Sequence, residues 1–249
     1  MSDEFRMVGF DTETTGFDLK KCRIIEVGFV EIINRKLTGN TYTQRFNPQV
    51  NYMSDGAEAV HGISLRSLRN EPTFEERLGD MLHWLGKTDI VGHRISFDFN
   101  FFDMEVNRLP AVVRNKYTTD AVFSLEKYIR VNPRNRSDHD TGKISKKVFG
   151  QYMKLDALCD KCAVDRSKRT LHGALLDAEL CAMCYLSMTR TNMDMFKEPV
   201  KQVQKIVRVD RDEVGPLPVI KATDAEIRAQ QDLYCWMAGK PFERRKKMV

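Results

Sequence analysis

Residues 9 to 16 read Gly-Phe-Asp-Thr-Glu-Thr-Thr-Gly, which places Asp11 and Glu13 directly after the apolar run Met7 to Phe10, and this segment constrains the chain more than any other. The apolar run predicts a strand, and in a strand residues i and i+2 share a face, so Asp11 and Glu13 point the same way. Two like charges side by side repel unless a cation sits between them, and hard carboxylate oxygens suit Mg²⁺ or Mn²⁺. The segment is half of a metal site. The same residues also suit a polar turn that closes a strand, so the decision falls to acids further along the chain.

The segments that follow predict the sheet around this strand. Arg23 to Ile33 (RIIEVGFVEII) is rich in β-branched residues and reads as a second strand, with Thr41 to Phe46 as a third; the short connections favour an antiparallel meander. Thr73 to Leu85 has helical periodicity, with Phe74, Leu78, Met81, Leu82 and Leu85 on one face. Asp89 to Val91 suits a strand, Phe97 to Leu109 a helix that stops before Pro110, and Tyr117 to Ile129 a further short strand and helix. Helices are predicted again over Leu155 to Ala163 and Leu171 to Met188. Strands first, then alternation, predict a mixed sheet flanked by helices. Beyond Met188, a stretch of mixed charge holding Pro199, Pro216 and Pro218 reads as a linker. A capping-box spacing at Thr223 to Glu226 then opens a last helix, whose Leu233, Tyr234 and Trp236 suit docking onto a partner.

Composition narrows the class only a little. The length of 249 residues suits one large domain or one domain with an appendage; 42% hydrophobic and 30% charged residues read as soluble and globular, and the net charge of +5 only weakly favours a polyanionic partner. No apolar run approaches the roughly 20 residues of a membrane span. Met1 to Glu4 lack the basic start of a signal peptide, so a cytoplasmic location and no membrane partner are expected. The cysteines include the pairs Cys159/Cys162 and Cys181/Cys184, a spacing superficially suited to zinc. Both pairs, however, fall inside helical apolar patterns, where cysteine behaves as a small buried hydrophobe.

Two further acids complete the pattern opened at Asp11. Asp98 follows the strand at Val91 and lies near a helix start, from where its carboxylate can reach the same end of the sheet. Asp177 lies in a helix otherwise apolar on the side of Leu175, Leu176 and Leu180, where an acid is costly unless it is paired or binds metal. His172 precedes it by five residues, about 140° around a helix. That places His172 on the first turn or the loop before it, approaching the acids from another direction.

The series Asp11, Glu13, Asp98, His172, Asp177 resembles the DEDDh group of 3′-to-5′ exonucleases, and the wording around it is similar to the epsilon proofreading subunits of bacterial DNA polymerase III. The resemblance is carried by FDTETTG (10 to 16), IIEVGFVEIINRKLTGN (24 to 40), VHGI (60 to 63), LDALC (155 to 159) and SKRTLHGALLDA (167 to 178), with VQKIVR (203 to 208) and ATDAEI (222 to 227) in the C-terminal part. It implies an α/β, ribonuclease-H-like fold: a mixed five-stranded sheet in the order 3-2-1-4-5 flanked by helices. The implied division is an exonuclease domain at 1–188, a linker at 189–214 and a polymerase-binding tail at 215–249.

The same resemblance implies two divalent metal ions, Mg²⁺ or Mn²⁺. One would be held by Asp11, Glu13 and Asp177, the other by Asp11 with Asp98, directly or through water. His172 would act as the general base, and Thr12, Glu13, Thr14, His61 and Asp177 would meet the terminal nucleotide. The implied substrate is a single-stranded 3′ end of DNA, released as nucleoside 5′-monophosphates during proofreading, with the catalytic subunit of DNA polymerase III as the partner of the tail.

The chain departs from the pattern in places. Arg94 stands where relatives commonly carry Asn after the His of motif two, and Gly56 replaces an acid five residues before His61. Between Asp120 and Asp156 the chain is long and basic, with Arg130, Arg134, Arg136, Lys143, Lys146 and Lys147, and its triplet Asp138 to Asp140 reads as exposed. TNMDMF (191 to 196) keeps the final Phe196 of a sliding-clamp motif but lacks its Gln. Two other readings stay open from sequence: a free-standing RNase of the same superfamily, and a non-catalytic scaffold for a polymerase. The tethered aromatic helix speaks against the first and the five retained site residues against the second.

Overall fold

In the computed structural model, which describes residues 5–129 and 139–190, the strand that begins at the apolar run continues through both acids, so that β1 covers Arg6–Thr14. The tail, nearly all of the linker including TNMDMF, and Arg130, Arg134, Arg136 and Asp138 lie outside the described residues. β2 (Ile24–Ile33) and β3 (Lys36–Arg45) complete the expected antiparallel meander, and β4 (Asp89–Val91) pairs in parallel with β1. The order is β3-β2-β1-β4.

Among the described residues the sheet has four strands rather than five. The fifth place is held by a single parallel bridge between Gly92 and Asp140, closed by Gly92 N–H to His139 O at 3.2 Å and Thr141 N–H to Gly92 O at 2.9 Å. The short strand expected after Tyr117 is not formed. Instead the Asn107 side chain satisfies both backbone groups of Phe123, at 2.8 and 3.0 Å, and Asp103 accepts from Leu125 N–H at 2.6 Å. Side chains of a helix thus supply the hydrogen bonds that a neighbouring strand would have given.

Helices α1 (Asp55–His61), α2 (Phe74–Leu85), α3 (Ser96–Arg108), α4 (Ala111–Arg114) and α5 (Leu125–Ile129) come before the bridge; α6 (Thr141–Phe149), α7 (Leu155–Lys161) and α8 (Ala174–Met188) follow it. They form a layer on each face of the sheet. Val8 and Phe10 of β1 join Phe29, Phe74, Phe99 and Phe102 in the core beneath α2 and α3. Met7 joins Ile32, Leu158, Leu180 and Cys184 in the core beneath α7 and α8. Strand alternation then puts Asp11 and Glu13 on the α8 side, with Met7 and Gly9. The paired cysteines pack in the core, as their spacing predicts: Cys159, Cys181 and Cys184 are buried and Cys162 half-buried against them, with Cys184 Sγ 3.6 Å from Cys159 Sγ.

α8 can carry Asp177 to those acids because two glycines let it lie directly on the sheet. A Cβ on Gly9 would stand 2.8 Å from Ala178 O and 3.2 Å from the Ala182 methyl, and one on Gly28 would meet the backbone of Ala174 and Leu175. The N-terminus of α8 has no side-chain cap of its own, since Gly173 occupies the cap position. Glu26 of β2 supplies the missing acceptor, taking Ala174 N–H at 2.9 Å while Arg45 binds its other oxygen at 2.7 Å. α3 is fixed in a similar way by buried Glu105, which Arg23 grips at 2.8 to 2.9 Å. A Gly28→Ala substitution should therefore lift α8 and destabilise the protein by about 1–3 kcal/mol, read as a lower urea midpoint at unchanged slope. An unchanged midpoint would show that the helix–sheet spacing is not set here.

Candidate functional site

The acidic residues singled out in the sequence converge at one end of the sheet. Asp11 and Glu13 come from β1, Asp98 from the first turn of α3 and Asp177 from the first turn of α8. Both helical acids thus sit where the helix dipole favours negative charge. His172 lies just before α8, as its spacing predicts, and its backbone N–H is pinned to Val60 O of α1 at 3.0 Å. Asp11, Glu13, Asp98, His172 and Asp177 all line one cleft of about 500 Å³. Its remaining wall includes Thr12, His93, Arg94, Phe17 and Phe97.

Glu13 and Asp98 are buried and Asp11 is half-buried, with little to offset their charge. Burial first, then the charges of Asp98, Asp177 and Glu13, push Asp11 well above the usual carboxylate range. Glu13 is pushed up to about 8, by burial and next by Asp177. Asp98 is pushed up to about 7 by burial, against the pull of the Thr12 hydroxyl, which donates to Asp98 Oδ1 at 2.7 Å. Asp177 behaves differently. Burial pushes it up too, but Arg169 and His172 outweigh burial and hold it below its ordinary value.

Such a donor set fits a divalent cation. One ligand atom each from Glu13, His172 and Asp177 lies within 4.8 Å of the others, and Asp11 and Asp98 add hard oxygens to the same cleft. Buried carboxylates that repel one another are stabilised as anions by a cation placed among them, which is the chemistry the raised pKa values call for.

Other expected contacts are placed differently. Thr12 lines the cleft, with its hydroxyl spent on Asp98. Thr14 is buried and turns its hydroxyl to Gly16 O at 2.8 Å, away from the cleft wall. His61 is buried on α1 and does not line the cleft, its Nδ1 accepting from Ile63 N–H at 3.0 Å. Asp140, expected to be exposed, is instead 2% exposed: it caps α6 by accepting from Gly142 and Lys143 N–H at 2.9 and 3.2 Å. Lys143, Lys146 and Lys147 accordingly stand on a helix rather than a loop.

Two features were not anticipated. Phe17, 85% exposed, leans against Phe97 with ring centroids 6.2 Å apart, giving the cleft an apolar lip. Arg169 enters the acidic cluster and forks Asp177, with Nε to Oδ1 at 2.5 Å and Nη2 to Oδ2 at 2.7 Å. In sequence Arg169 is one more basic residue in the run Arg166, Lys168, Arg169, and only its place in the RTLHG segment, three residues before His172, marks it out.

Residues 8–185 match the exonuclease family RNase_T. The DNA polymerase III subunit epsilon of Escherichia coli (strain K12) is 34% identical over 241 residues, covering 91% of this chain and 90% of the relative. The subunit of the same description from Haemophilus influenzae is 35% identical over 210 residues, covering 82% and 75%. In fold the chain is similar to a solved full-length 3′-exonuclease, with a TM-score of 0.54 at 18% identity over 75% of this chain and 82% of that one.

The raised carboxyls carry a signature in stability. Folded Glu13 holds its proton up to about 8, against an ordinary 4.5, so the folded state binds more protons than the unfolded one between those values and stability falls as pH rises through them. In a chelating buffer the melting temperature should drop as pH is raised from about 5 to 8, and Mn²⁺ should restore it at the upper end. A melting temperature flat in pH and indifferent to Mn²⁺ would mean that the carboxylates are already compensated.

Proposed function

The chain belongs to the exonuclease family and groups with the epsilon subunits of DNA polymerase III, and on that footing we propose that it is the 3′-to-5′ proofreading exonuclease of a replicative polymerase, removing mispaired 3′-terminal nucleotides of DNA as nucleoside 5′-monophosphates. The observation that carries the reading is the convergence of Asp11, Glu13, Asp98, Asp177 and His172 on one cleft, within the span that matches the family.

Asp11, Glu13 and Asp177 would hold one divalent cation and Asp11 with Asp98 a second, Mg²⁺ or Mn²⁺. When bound, the pair supplies Lewis acidity to the scissile phosphate and lowers the pKa of the attacking water. His172 stands half-exposed at the cleft, where it would take the water's proton at Nε2. Thr12 orients Asp98 rather than touching the nucleotide, and Phe17 with Phe97 offers the terminal base an apolar face to stack on. Arg94 stands exposed on the same wall, its guanidinium carbon 5.6 Å over the Tyr152 ring, where it suits a backbone phosphate. The division into an exonuclease domain at 1–188, a linker at 189–214 and a polymerase-binding tail at 215–249 is supported by similarity to the Escherichia coli relative over 91% of the chain, well beyond residue 185. As part of a replicative polymerase the protein would work in the cytoplasm.

With Mg²⁺ or Mn²⁺ present, a 3′-mismatched DNA primer should be shortened faster than a paired one and faster than an RNA of the same sequence. Preference for the RNA would instead favour a free-standing RNase. His172→Ala should lower kcat about 10²–10⁴-fold in the same assay. Removal of residues 215–249 should leave exonuclease activity intact and abolish co-purification with the polymerase catalytic subunit; retained binding would place the partner surface elsewhere.

A further inference from the structure

Arg169 stands inside the acidic cluster although the proposed hydrolysis has no use for it there. Its side chain is 5% exposed, and both oxygens of Asp177 are engaged by its Nε and Nη2. Nη2 also lies 2.8 Å from His172 Nδ1, and Nη1 donates to Asp156 Oδ1 at 2.6 Å. Asp156 is half-exposed on the first turn of α7 and is not part of the cleft wall.

Two of these contacts conflict with a cation on Asp177. A guanidinium forked onto both oxygens fills the ground and the charge that a divalent ion would take. At His172, moreover, a guanidinium can only donate, so its contact requires the lone pair of Nδ1. The neighbouring Asp177 Oδ2, 3.1 Å from the same nitrogen, requires a proton there. Both cannot be hydrogen bonds at once. With Arg169 in place Nδ1 is an acceptor and Nε2 carries the proton; with Arg169 withdrawn, Nδ1–H can donate to Asp177 and Nε2 presents its lone pair to water.

We propose that Arg169 competes with the divalent cation for Asp177, and that Asp156 is the carboxylate that holds the guanidinium when the cation takes its place. The inference rests on Asp177 being a metal ligand, as read above. On this account Arg169 is a positioning residue: it lends the cluster one positive charge, and its departure frees Asp177 for the cation and leaves His172 in the tautomer that can act as base.

The rival role for a residue so placed is an ordinary outer partner that orients Asp177, and removing such a partner weakens metal affinity about 10–100-fold. Competition predicts the opposite sign. Mn²⁺ alone, titrated into the full chain and followed by loss of the free-ion electron paramagnetic resonance signal, distinguishes the two. Arg169→Gln should bind Mn²⁺ more tightly than the unaltered chain, by a fold-change large enough to read as a clear left shift of the titration. Asp156→Asn should bind more weakly, and that weakening should vanish in the double variant. Unchanged or weaker binding by a natively folded Arg169→Gln would overturn the proposal. Should Arg169→Gln not fold, Arg169→Lys, which keeps the charge but cannot fork both oxygens of Asp177, decides: tighter binding supports competition, and unchanged or weaker binding overturns it. If the unaltered chain and every variant all fail to bind Mn²⁺, it is the assignment of Asp177 as a metal ligand that falls.

Discussion

Asp11, Glu13 and Asp98 are three carboxylates held at one end of a sheet, two of them buried and Asp11 half-buried, with too little positive charge beside them, and much of the architecture serves to keep them there. Left to relax, such groups would turn to solvent or hold their protons, and the raised values at Glu13 and Asp98 show how far burial and repulsion push them toward the neutral form. An arrangement of this kind suits a site that binds cations, because a cation placed among the acids offsets both terms together.

Holding four acids in register takes rigid supports on both faces of the sheet. On one face, Gly9 and Gly28 let α8 approach until Asp177 joins the β1 acids, and Glu26 fixes the free end of that helix from the neighbouring strand. On the other, the aromatic core of Phe10, Phe29, Phe99 and Phe102 seats α3, while Glu105 and its two arginines fix its position against the chain before β2. Asp98 reaches the cluster from that helix, and Thr12 aims it. The cleft therefore joins two separately packed layers. A disturbance of either layer reaches the cleft through one carboxylate.

Much of this could be read from sequence, and for a physical reason. Asp11 and Glu13 alternate on a strand, Asp98 and Asp177 open helices, and His172 falls just before one of them; all are local relations that spacing records. What spacing does not record is which loop side chain turns inward. Arg169 looks solvated in sequence and lies 5% exposed on Asp177. Asp140 looks like one end of an exposed Asp-His-Asp triplet and is a buried helix cap. Thr14 and His61 belong to recognisable motifs, yet their polar atoms face Gly16 and Ile63. The sheet departs from expectation where side chains replace a strand: Asn107 satisfies the backbone of Phe123, a long-range substitution that no local pattern announces.

Diffraction from crystals grown in Mn²⁺, with data collected at the manganese absorption edge, tests the account at its centre. An anomalous peak is expected among Asp11, Glu13 and Asp177, at about 2.0–2.2 Å from carboxylate oxygens, with the Arg169 guanidinium turned from Asp177 toward Asp156. Carboxylates without a peak, and Arg169 still forked on Asp177 at saturating Mn²⁺, would contradict the claim that this buried negative charge exists to hold a divalent cation.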